Sequence, residues 1–96
     1  MDKFKLGYVV LTPLGIKALH EAEQSAEDFL NRHAGGDWGD LCDEDRKAND
    51  VAIAHEDDPD CRSRVLSSYR TSLGTKLYVI TEHDRSVTTI LLPEEY

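Results

Sequence analysis

Two cysteines, three prolines, one tryptophan and two phenylalanines in 96 residues already exclude several kinds of protein. Two cysteines cannot build a disulfide scaffold, and nothing in the sequence signals export. Cys42 and Cys61 are therefore expected to be reduced. No run of 18 apolar residues is present, so no membrane-spanning segment is expected. The first residues lack an apolar stretch followed by a small-residue cleavage site, which points to a cytoplasmic chain. Basic residues are also scarce, with 11 Lys or Arg against 19 Asp or Glu and a net charge of -8. Such a surface repels nucleic acid and anionic membranes, so neither is expected as a direct partner. The length suits one domain over residues 1–96 with one modest core.

What the chain has in quantity is negative charge, placed unevenly. Residues 21–60 hold 14 Asp or Glu and 3 Lys or Arg, whereas the other 56 residues hold 5 acids and 8 bases. The middle is an acidic block between mildly basic flanks. Its acids Asp37, Asp40, Asp43, Glu44, Asp45, Asp50, Glu56, Asp57 and Asp58 are candidate contacts for a basic protein surface, including one that normally holds DNA or RNA. The plain alternative is a solvated face that serves solubility.

The order of local patterns predicts an α+β fold: an N-terminal strand, two to three helices, then a C-terminal three-stranded antiparallel meander. Phe4–Leu11 is β-branched and aromatic-rich and reads as the first strand. Thr12-Pro13 is a helix start, with the threonine as N-cap and the proline in the first turn. Ser25 opens a second helix whose stripe is Ala26, Phe29, Leu30 and His33, ended by Gly35-Gly36. Asp43–Ala54 reads as a third helix, with acids in its first turn and Ala48, Val51 and Ala52 as its buried side. Ser63–Thr71, Lys76–Thr81 and Val87–Leu92 alternate or run apolar and are joined by short turns, which implies antiparallel pairing. The core is expected around Trp38, Phe29, Tyr78, Val79, Ile80, Ile90 and Leu92.

Few residues could carry chemistry. His33 titrates near neutral pH and could act as a general base or acid, or it could cap its helix through local carbonyls. Asp37 and Asp40 flank Trp38 in a glycine-bounded loop and could hold a metal or a substrate, or the tryptophan is a core plug and the aspartates cap the next helix. His33, Cys42, His55 and Cys61 are zinc-type ligands at spacings that match no known finger, and no metal or other cofactor is expected. Arg62, Arg64, Ser67, Ser68, Tyr69, Thr88 and Thr89 on a sheet face could bind phosphate, or could form ordinary cross-strand pairs.

The run Asn31-Arg32-His33-Ala34-Gly35-Gly36-Asp37-Trp38-Gly39-Asp40-Leu41-Cys42, then Glu44-Asp45 and Asn49, resembles a family of small bacterial proteins. The stretch Lys76–Tyr96 (KLYVITEHDRSVTTILLPEEY) resembles the same family. Its members are carried on plasmids, integrative elements and prophages and are labelled "plasmid-related protein". The resemblance spans Val10 to Tyr96 and implies a mobile-element context more than a mechanism. Where the family tends to have Pro followed directly by Gly, this chain has Thr12-Pro13-Leu14-Gly15. Some members carry a restriction-modification label, but this chain is too short for a methyltransferase and has no cofactor-binding glycine motif. The context implies a mobile-element accessory protein that docks through its acids on a host nucleic-acid defence system, of restriction or CRISPR type.

A second resemblance is to fold. A helix ending in Arg-His before an antiparallel sheet bearing Arg, Tyr and Thr is similar to the barnase, EndoU, colicin and RelE-like ribonucleases. It implies His33 as base, Arg64 or Arg70 as phosphate ligand, and Tyr69 and Thr88 completing the site. A third reading is a homo-oligomer without a ligand, paired through the strand edges at Phe4–Leu11 or Arg62–Thr71.

Overall fold

Where the chain leaves its first strand, Thr12 stays extended and its Oγ1 accepts from the Gly15 N–H, while Pro13 supplies a helical φ without needing a donor. Helix α1 (Pro13–Ala22) starts there and ends at Glu23 in the left-handed region. Ser25 caps helix α2 (Ala26–Ala34) by accepting from the Glu27 N–H. Helix α3 (Asp43–Ala54) has Asp43, Glu44 and Asp45 in its first turn, where the helix dipole favours negative charge. These features belong to a computed structural model that describes residues 2–58, Asp60 and 62–96. Cys61, one of the zinc-type residues considered above, lies outside the described residues.

Strands β1 (Tyr8–Leu11), β2 (Val65–Arg70), β3 (Lys76–Thr81) and β4 (Val87–Leu91) form one sheet in the order β1-β4-β3-β2. The fold is α+β, as the sequence predicts, and β2-β3-β4 is an antiparallel meander. The expected three-stranded sheet is incomplete, however, because β1 adds to it in parallel with β4, pairing Tyr8 with Val87 and Leu11 with Ile90. The sheet is therefore four-stranded and mixed. A parallel neighbour needs a long crossover, and the three helices between β1 and β2 provide it.

The first strand is also shorter than predicted. Phe4 is buried in the core rather than paired in the sheet, and Gly7 adopts φ +67°. A Cβ at Gly7 would meet the Ser86 carbonyl oxygen at 2.3 Å, so the chain enters β1 across a contact that only glycine permits.

Two apolar clusters fill the space under the helices. One joins Ala18, Leu19 and Phe29 to Tyr69, Leu77, Val79 and Ile90. The other gathers Phe4, Trp38, Ala52 and Val65, with Leu6, Leu41 and Ile53 packed against them. Of the predicted core, Trp38, Phe29, Val79, Ile80 and Ile90 are buried, while Tyr78 and Leu92 are half-buried. The correction on α3 is larger: Asn49 and Ala52 are its buried residues, and Val51 is 57% exposed. This helix packs beside the edge strand β2 rather than across a sheet face, so a narrow stripe is all it buries.

Candidate functional site

The acidic block is the broadest candidate, and the structure divides its nine named residues by what each one touches. Asp37 forms an ion pair with Arg32 at 2.8 Å and accepts from the Gly39 N–H at 3.1 Å. The Arg32 bond holds the Asp37 carboxyl below its ordinary value and raises the Arg32 guanidinium. Asp40 pairs with Arg70 at 3.2 Å. Neither aspartate caps α3, as the sequence reading expects, because the N-cap of that helix is Cys42, whose side chain makes no capping bond. Asp50 accepts from the Trp38 indole N–H at 3.2 Å. Glu56 receives Arg85 at 2.8 Å, and Arg85 is buried and also donates to the carbonyls of Ser63 and Glu82. Asp58 closes its loop by accepting from the Asp60 N–H. Asp43, Glu44, Asp45 and Asp57 remain exposed and enter no ion pair among the described residues. These four are the part of the block that is free to meet a partner.

His33 has a different environment from either one expected of it. It is 0% exposed, so it is neither a solvent-reachable base nor a helix-end cap. Its Nδ1 lies 2.6 Å from Ser67 Oγ and its Nε2 lies 2.9 Å from Thr81 Oγ1. Thr81 Oγ1 lies 2.7 Å from Thr88 Oγ1, which donates to the Leu6 carbonyl at 2.7 Å. The directions follow from that end. Thr88 spends its proton on Leu6, so Thr81 donates to Thr88 and accepts from His33 Nε2–H. Nδ1 is then the acceptor for Ser67, and the ring is the neutral Nε2–H tautomer. Burial, reinforced by the positive charge of Arg85, lowers the histidine pKa to about 3. The chain of hydroxyls ties α2, β2, β3, β4 and the N-terminal segment together through a core that is otherwise apolar.

The ribonuclease constellation is only partly assembled. His33 and Thr88 share the buried chain, linked through Thr81. Tyr69 is on the same sheet face, but its hydroxyl donates to the Asp37 carbonyl, and burial raises its pKa to about 12. Its ring lies under Arg32, 4.4 Å from the guanidinium carbon. Arg64 is elsewhere: it is exposed and donates to the Tyr96 hydroxyl at 2.6 Å. Arg70 is exposed and engaged with Asp40. With His33 holding Ser67 and Thr81, and Cys42 exposed on the surface, the zinc-type set is not gathered. No cluster of three or more metal-ligating side chains occurs among the described residues.

Sequence reasoning named Ser67 and Thr88 as sheet-face candidates but missed three contributors, of which Thr81 is the first. Ser67, Thr81 and Thr88 share their strand face with the core residues Val65, Tyr69, Val79 and Ile90, where hydroxyls require partners; Ser67 and Thr81 find His33, and Thr88 finds Thr81 and the Leu6 carbonyl. Asn49 is the second. Its side-chain amide donates to the Leu66 carbonyl at 2.6 Å and its Oδ1 accepts from the Leu66 N–H at 3.1 Å, which seals the outer side of β2. Arg85, in a turn with φ +61°, is the third.

No family model, curated protein or solved structure matches this chain. No helix among the described residues is long and apolar enough to cross a membrane.

Proposed function

We propose that the protein is a non-enzymatic, acidic binding module. It docks on a basic surface of a nucleic-acid-handling complex, and a defence system of restriction or CRISPR type fits the mobile-element resemblance. One observation carries this reading: unpaired acids collect at the two ends of α3. Asp43, Glu44 and Asp45 stand at its start and Asp57 stands just past its end, separated by a helix of about 18 Å. The only bases on α3 are Arg46 and Lys47, and Arg46 is turned aside to donate to the carbonyls of Gly39 and Leu41. Neither base pairs with these acids among the described residues, so the acids stay open to a partner's cations and could occupy a groove that normally holds phosphates.

The burial of His33 weighs against the ribonuclease alternative. A general base must reach the proton it abstracts, and this imidazole has both nitrogens committed inside the core.

The test is recovery of a nuclease or CRISPR-type complex from bacterial lysate by the wild-type chain and by a folded Asp43→Asn/Glu44→Gln/Asp45→Asn/Asp57→Asn variant. Support requires that recovery fall with rising salt, be lost in the variant, and be competed by nucleic acid. Equal recovery by both chains, or RNA cleavage that disappears in His33→Ala, would sink the proposal.

A further inference from the structure

Leu6 to Ile16 carries no Asp, Glu, Lys or Arg, in a chain that is 31% charged. This stretch contains β1, an outer strand of the sheet. The Tyr8 N–H donates to the Ser86 carbonyl at 2.9 Å and the Thr12 N–H to the Ile90 carbonyl at 3.1 Å. In a parallel pair the residues that address the neighbour alternate along the strand. Tyr8, Val10 and Thr12 therefore face β4, and the N–H and C=O groups of Val9 and Leu11 point outward. They have no partner among the described residues. Tyr8 is 82% exposed, Val9 42% and Val10 47%, and the first turn of α1 adds exposed Leu14 and Ile16. Edge strands are normally blunted by charge, proline, a bulge or a cover. Within Tyr8–Leu11 none of these is present, and the shortness of the strand, at four residues, is the one protection it has.

The other outer strand, β2, shows the opposite treatment by the same chain. Asn49 takes both outward groups of Leu66, while the Ser68 N–H donates to the Trp38 carbonyl and the Ser68 carbonyl accepts from the Asp40 N–H.

We propose that the bare edge at β1 binds a second copy of this chain, β1 against β1 in antiparallel register about a twofold axis. The symmetric register that uses only the outward groups of Val9 and Leu11 is centred on Val10. Val9 of one copy faces Leu11 of the other and each pair exchanges two hydrogen bonds, four in all. Val10 meets its own symmetry mate in the narrow, non-hydrogen-bonded position between them. Charge selects a second copy as the occupant. Asp43, Glu44 and Asp45 lie on α3, which packs beside β2, and β2 is the opposite edge of the sheet from β1. Two copies can thus meet through strands that carry no charge of their own while these acids point apart. This inference is independent of the acidic-module reading, and rising salt separates the two: partner capture weakens, whereas the apolar pairing does not.

The experiment is sedimentation equilibrium together with site-directed cross-linking. The wild-type chain is expected to sediment at twice 10.8 kDa. Val10→Glu, which places like charges opposite each other on an exposed face, should sediment as one chain with an unchanged circular dichroism spectrum. Val9→Pro removes only an outward N–H and should do the same, which covers the case that Val10→Glu fails to fold. In a Cys42→Ser/Cys61→Ser background, Val10→Cys should form a dimeric disulfide on oxidation, since the facing Cα atoms would be about 4.5 Å apart. A single-chain mass at every concentration up to about 1 mM would overturn the proposal. So would a dimer that survives both edge variants and leaves Val10→Cys unlinked; either result assigns the edge to another protein's strand or to solvent.

Discussion

At β2 the outward backbone groups of Leu66 and Ser68 are taken up by the Asn49 amide and by the Trp38–Asp40 loop, whereas at β1 those of Val9 and Leu11 have no partner among the described residues. The two regions differ in composition as well. The β2 side is lined by α3 and its acids, and beneath them Trp38, Phe4, Ala52 and Val65 form a dedicated cluster. The β1 strand itself carries no charge and shows Tyr8, Val9 and Val10 to the outside. A sheet edge can be protected by the chain itself or left for another chain. This molecule does one at each end, which is why burial and charge are concentrated on one side and apolar exposure on the other.

The comparison breaks most severely at Trp38. Trp38→Ala removes the centre of the β2-side cluster and should cost about 3–5 kcal/mol in urea unfolding, enough to unfold much of so small a domain. Val10→Ala on the β1 side should change monomer stability by no more than about 0.5 kcal/mol. Equal costs would mean that the two sides are not differently built.

Acid comes next. Free histidine takes up a proton near pH 6.5, whereas His33 in the folded protein resists protonation down to about 3. The unfolded chain therefore binds the extra proton between those values. The stability that His33 confers is complete above pH 6.5 and drains as pH falls toward 3. The slope should approach about 1.4 kcal/mol per pH unit below pH 6, and it should be absent in a folded His33→Gln variant. Denaturant midpoints from pH 7 to pH 4.5 measure it, in a range above the one where most carboxylates protonate.

Asn49→Leu should cost about 1–3 kcal/mol, because it leaves the N–H and C=O of Leu66 without their partner at a part-buried site. Accelerated amide exchange at Leu66, with exchange at Val79 unchanged, would show that the loss is local to the β2 edge. The smallest effect belongs to Asp40→Asn. Its ion pair with Arg70 joins two side chains that are each about half exposed, so the change should stay below about 1 kcal/mol.

Local chemistry was legible in the sequence wherever a residue announces its own conformation. Thr12-Pro13 marks the start of α1, the acids of Asp43–Asp45 mark the start of α3, and the apolar run Lys76–Thr81 marks β3 at its observed bounds. What stayed illegible depends on contacts between distant segments. The pairing of β1 with β4 spans about 80 residues and leaves no local trace. The position of α3 beside a strand edge turns Asn49 inward and Val51 outward, against the apolar pattern of the helix. For the candidate site, the acids were legible as a block. Which of them are spent inside the fold was not, since Arg85 reaches Glu56 only through a turn in the left-handed region. His33 was visible as a member of an apolar stripe, but its partners lie on three strands that come together only in the folded state.

The Asn49 amide sets how wide the sheet can grow. It behaves as a terminal unit that the chain supplies for itself, mimicking one more residue of β-strand and then presenting a helix where the next strand would bind. If that side chain is shortened, the N–H and C=O of Leu66 lose their partner, while those of Ser68 stay covered by the Trp38–Asp40 loop. Contact between unlike borders does not close on itself and propagates into fibres. Asn49 and the Trp38–Asp40 loop together keep the β2 border from taking up such a contact.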